Sequence, residues 1–71
     1  MTLRFHKKIY PKMAVQAAAE AFADVAEIRV SVQGDYAVVE LRPQVAEDAA
    51  ELAGEFRNFV LGTAIALRGE Q

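Results

Sequence analysis

Side chains that could do chemistry are few and scattered in this 71-residue chain. It has one imidazole, His6, followed by Lys7 and Lys8, and no cysteine. A lone imidazole beside cations, with no Asp, second His or thiol at a working spacing, completes neither a metal cage nor a base–nucleophile pair. The hydroxyls of Thr2, Ser31 and Thr63 lie outside any nucleophile-elbow context. Glu47, Asp48, Glu51 and Glu55 crowd one stretch, where a solvated helix flank accounts for them and keeps a small protein soluble. Gly34-Asp35 is a turn pair; no phosphate-cradling glycine loop is present. These residue types predict no catalytic set, no resident cofactor and no metal site.

Composition narrows the partners. Eight Lys and Arg stand against ten Asp and Glu, a net charge of -2, so no global positive field collects nucleic acid. No apolar run approaches the roughly 20 residues of a membrane span, and the N-terminus lacks the apolar segment of a signal peptide. A cytoplasmic protein is the expectation. A core in a chain this short supplies only about 3–5 kcal/mol of net stability. More than a third of the apolar residues are alanine, and no disulfide can staple the fold, so self-association as a homodimer is a further expectation.

The elements that position these residues follow from periodicity. Leu3, Phe5 and Ile9 alternate with Arg4, His6, Lys8 and Tyr10, predicting a strand over 3–10 in which Lys7 points inward and blunts a sheet edge. Pro11 opens an Ala-rich helix over 11–26, with Ala14, Ala18, Ala21, Phe22 and Val25 on one face and Lys12, Gln16, Glu20 and Asp24 on the other. Residues 27–42 read as a hairpin. Gly34 at the first central position suits a type II′ turn, which pairs Gln33 with Tyr36, Val32 with Ala37, Val30 with Val39 and Ile28 with Leu41. The same register sets Arg29 opposite Glu40 and Glu27 opposite Arg42, at about 0.2–1 kcal/mol per cross-strand pair. After Pro43 a second helix spans 45–68, with Val45, Ala49, Leu52, Phe56, Phe59, Val60 and Leu67 facing the core.

This order predicts one α+β domain over 1–71: a two-layer β-α-β-β-α arrangement with a three-stranded, mainly antiparallel sheet and both helices on one face. Strand order 1-3-2 is the first choice, with 1-2-3 the alternative. On the second helix Leu61 and Ile65 point away from the core beside Ala64, within reach of Arg57 and Arg68. Gly54 and Gly62 mark a close approach or a bend. An apolar pair at i, i+4 on an outward face is an interaction stripe. Its competitor is a helix bent near Gly62, whose last turns cover the same core.

Two stretches carry a resemblance. Phe5-His6-Lys7-Lys8-Ile9-Tyr10 followed by an Ala-rich helix, and Gly54-Glu55-Phe56-Arg57-Asn58-Phe59-Val60-Leu61, resemble the small D-type accessory protein of His-Xaa-Ser peptide-modification systems (HxsD-like), as do the hairpin and its Leu41-x-Pro43 exit. The resemblance implies a non-catalytic protein working beside a radical-SAM maturase and a repetitive precursor peptide. It departs from the family after Leu61, where polar residues and a helical tail are usual and Gly62-Thr63-Ala64-Ile65-Ala66 stands here. The functional expectation is an adaptor that binds the maturase or its peptide through Phe59, Leu61, Ile65 and Arg57, with Lys7 and Lys8 secondary. A structural homo-oligomer formed through the C-terminal helix is the alternative.

Overall fold

A computed structural model describes residues 1–69. The chain runs β1 (Thr2–His6), α1 (Lys12–Ala21), β2 (Ala26–Gln33), β3 (Tyr36–Pro43), a single 3-10 turn (Ala46–Asp48) and α2 (Ala49–Gly69). The three strands form one sheet in the order β1-β3-β2, antiparallel at both junctions, so the order 1-2-3 is excluded. The result is a small α+β fold.

The hairpin holds the predicted register from Gln33↔Tyr36 through Glu27↔Arg42. Gly34 has φ +59° and no other described residue has a positive φ. A type II′ turn requires this pattern, since a type I′ turn would put Asp35 in the left-handed region as well. The cross-strand charges sit opposite one another without closing. Among the described residues the one ion pair, Arg29 Nε to Glu27 Oε1 at 4.0 Å, runs along β2, and both side chains are largely exposed, so it contributes little. Val38, on the polar side of the alternation, is buried all the same. It sits mid-sheet, with Arg4 and Ser31 as its cross-strand neighbours.

Leu3, Phe5, Ala37, Val39 and Leu41 of the sheet meet Ala14, Val15 and Ala18 of α1 and Leu52, Ala53, Phe56, Val60 and Ala64 of α2 in one core. Alanine at 14 and 18 lets α1 lie close over the strands. Phe56 fills the space that remains. Its ring is tilted 6.0 Å from Phe5 and 5.4 Å from Phe22, while Phe5 makes an edge contact with Tyr10 at 5.2 Å. Aromatic pairs at such spacings add about 0.5–1.5 kcal/mol beyond their buried area.

Several boundaries differ from expectation, each for a local reason. β1 stops at His6, whose carbonyl accepts hydrogen bonds from Ile9 N–H at 3.0 Å and Tyr10 N–H at 2.8 Å. This turn carries Lys7 and Lys8 to the surface, exposes Ile9 and brings Tyr10 back onto the core; Lys7 is not an inward guard. α1 ends at Ala21, with the Phe22 N–H bonded to the Ala18 carbonyl. Ala21 and Val25 are therefore exposed, and Val15 takes the place expected of them. α2 begins at Ala49 rather than 45, which leaves Val45 outside. Ala64 is buried in the core and does not stand with Leu61 and Ile65. α2 is one uninterrupted 21-residue helix through Gly62.

Neither helix glycine is explained by crowding: a Cβ added at Gly54 or Gly62 meets nothing within 4 Å. Gly54→Ala and Gly62→Ala are each expected to stabilise the protein by about 0.4–1 kcal/mol, seen as a higher melting temperature in calorimetry. A lower one would mean that the helix bends or packs closely there. Phe56→Ala should remove about 3–5 kcal/mol, the whole stability expected of a domain this size. Circular dichroism should then show an unfolded chain, whereas Phe59→Ala should keep a cooperative urea transition.

Candidate partner-binding surface

The outward face of α2 leaves two large apolar side chains open one turn apart. Val60 and Ala64 turn into the core, so the next residue after each, about 100° further round, turns out. Leu61 is 45% exposed and Ile65 58%. They stand one turn apart, and Arg57 stands one turn before Leu61, also exposed. Phe59 is 39% exposed, but it lies about 200° round the helix from Leu61. Its ring makes an edge contact with Phe22 at 5.8 Å, so it belongs to the seam between the helices.

The β1–α1 turn joins this surface at one end. The Arg68 guanidinium donates a hydrogen bond from Nη2 to the Ile9 carbonyl at 2.8 Å. Arg68 follows Ile65 by three residues, one helical turn. Lys7 is held by its own N–H to the Asp35 carbonyl at 2.9 Å, and the Lys8 N–H donates to His6 Nδ1 at 3.2 Å. The His6 ring sits edge-on to Tyr36 at 5.0 Å. His6 therefore braces the turn, and both lysines are exposed. Leu61 and Ile65 thus lie between Arg57 and Arg68 along α2, and Arg68 ties the helix to the β1–α1 turn, on a chain whose net charge is -2. A surface so arranged can take an apolar side chain carried on an acidic segment.

The alternation of residues 3–10 hid Ile9. The double lysine breaking that alternation was the available signal that the strand ends early.

Other concavities are less suited to binding. A shallow groove on the open sheet face is lined by Glu27, Arg29, Glu40 and Arg42, where opposite charges cancel. A second groove, between Val25, Pro43, Val45 and Leu52, is rimmed by Asp48, Glu51 and Glu55. Among the described residues no three His, Asp or Glu side chains are grouped to hold a metal ion, and no helix is long and apolar enough to cross a membrane.

Comparison with known proteins adds one finding. No curated protein and no solved structure shows significant similarity to the chain. A family model described as His-Xaa-Ser system protein HxsD matches residues 5–68, from the middle of β1 to the last turn of α2. That match takes in both helices, the hairpin and the β1–α1 turn, and the chain belongs to the HxsD family of His-Xaa-Ser system proteins.

Proposed function

We propose that this protein is a non-catalytic, cytoplasmic adaptor of a His-Xaa-Ser system, binding a radical-SAM maturase or its precursor peptide through the outward face of α2. The observation that carries this reading is the exposure of Leu61 and Ile65 one turn apart on a helix whose other side is fully engaged in the core. Exposed apolar side chains at consecutive turns stay unfavourably hydrated unless something covers them. Membership of the family supplies the setting. The basic residues Arg57, Lys7 and Lys8 favour an acidic contact segment and would act on the association rate more than on final affinity.

Catalysis finds no support in the side-chain arrangement. The one imidazole is engaged in a turn, and the carboxylates of α2 line a solvated flank.

The test is a binding titration with the maturase and, separately, with the precursor peptide. Leu61→Asp combined with Ile65→Asp should weaken binding by about tenfold or more, as loss of a central apolar anchor does, with the far-ultraviolet spectrum unchanged because neither residue is in the core. Lys7→Glu with Lys8→Glu should cause a smaller loss that fades as salt is raised. Unchanged affinity in the Leu61/Ile65 variant would remove α2 as the contact surface.

A further inference from the structure

We infer that the protein forms a two-fold dimer by pairing β2 with β2 of a second copy, joining two three-stranded sheets into one of six strands centred on Val30.

The first observation concerns which backbone groups are free. A two-residue turn makes Gln33↔Tyr36 a hydrogen-bonded pair, and bonded and non-bonded pairs alternate from there. Ser31, Arg29 and Glu27 therefore turn their N–H and C=O groups to β3, while Val32, Val30, Ile28 and Ala26 turn theirs to the outer edge. Two bonds confirm the phase: the Ala26 N–H goes outward to the Phe22 carbonyl at 3.1 Å, and the Leu41 N–H, opposite Ile28, goes to the Met1 carbonyl at 2.7 Å. No other described backbone group claims the edge of Ile28, Val30 and Val32. The β1 edge differs. It is five residues long, and its His6 carbonyl is taken by the following turn. One edge is blunted and the other is left open, without Pro, Lys or bulge.

The second observation is that the open edge is complementary to itself in a single register. Pairing across a two-fold axis must match outward-facing residues with outward-facing residues, which leaves four alternatives. Centring on Ile28 or Arg29 calls on Ala26, whose N–H is already used, and the latter also sets Arg29 against its own copy. Centring on Ser31 leaves Ile28 unpaired. Centring on Val30 pairs Val30 with Val30 and Ile28 with Val32 of the second copy, satisfies all three free residues on each side, and places Arg29 opposite Ser31 and Glu27 opposite Gln33. Val32, 47% exposed, is then covered by Ile28 of the second copy, and the apolar face continues unbroken across the join.

The third observation lies in the helix layer. α1 packs on β2 and α2 on β3, so α1 is the helix nearer the open edge. Phe22 turns towards Phe56 and Phe59 of α2; Met13, nine residues earlier, lies half a turn round the helix from it and about 140° from the buried Ala18, on the exposed side of α1. The Ala26–Phe22 bond aligns the two elements at one end. Four strand residues from there to Val30 and nine helix residues back to Met13 both cover about 13 Å. Met13, at 67% the most exposed large apolar side chain described, therefore stands level with the axis on the exposed side of α1. A stable interface buries roughly 1,200 Å² in total or more, about an eighth of each protomer's 4859 Å² surface.

The absence of cysteine makes the test clean. Arg29→Cys and Ser31→Cys are made as separate variants at exposed positions. Alone, neither should cross-link; mixed and mildly oxidised, they should give a disulfide-linked pair, and light scattering of the unmodified protein should show twice the protomer mass. A monomer mass with no linkage in the mixture would overturn the dimer. Self-linkage of Arg29→Cys or Ser31→Cys alone would overturn the register. Self-linkage of an Ile65→Cys variant with the mixture unlinked would move the interface to α2 and overturn the assignment to β2.

Discussion

The type II′ turn at Gly34-Asp35 sets the phase of nearly every pairing in the molecule. With φ +59° at Gly34, the two strands can meet only with Gln33 across from Tyr36, and the remaining pairs follow by alternation. A slip of one residue would send Ile28, Val30 and Val32 to the open face and bring Glu27 and Arg29 against α1. The same phase decides which way β3 offers its backbone to β1, and so fixes Leu3 opposite Val39 and Phe5 opposite Ala37. Both partners in each of these pairs are core residues. One residue that tolerates a left-handed backbone therefore governs the contents of the hydrophobic layer.

That layer is thin, and its economy explains the helices. α1 contributes two alanines and one valine, so it gains by lying close to the sheet more than by filling volume. The filling falls to Phe56, tilted between Phe5 and Phe22. α2 spends one side on this work over its whole length, from Leu52 to Ala64. Among the described residues its other side has nothing to pack against. The exposed stripe at Leu61 and Ile65 follows from having 21 residues of helix over a sheet only three strands wide.

How far the sequence could be read depends on whether two signals agreed at a position. The hairpin had both strict alternation and a turn residue of defined handedness, and its register is the one expected. The strand order followed from topology rules acting on that hairpin. The ends of β1 and α1 had only one signal each. Apolar-polar alternation ran on through Ile9 although the backbone had already turned at His6, and a run of alanines offers no marker for where a helix stops. On α2 the wheel found Leu52, Phe56 and Val60 but misplaced Ala64, because one small residue weighs little in a pattern that Leu61 and Ile65 dominate. The outward character of those two residues was legible. The tie between the end of α2 and the β1–α1 turn was not, since it depends on an Arg68–Ile9 hydrogen bond spanning 59 positions.

Surface chemistry separates the places where a partner gains from those where it does not. Glu27, Arg29, Glu40 and Arg42 form a patch of alternating sign on the open sheet face. A ligand there would have to match each charge while stripping its water, and little would remain as net affinity. The outward stripe of α2 gives up only hydrophobic hydration when covered. It also lies over the opposite end of the helix layer from the β2 edge, because α1 is the helix nearer β2. In a dimer built on β2 the two stripes would stay uncovered and face away from each other on one rigid sheet. Such a dimer offers its partner two identical contacts, and a second contact made at short range strengthens binding without adding any new chemistry to either. For a small protomer, duplicating a modest surface raises the strength of binding without enlarging either contact.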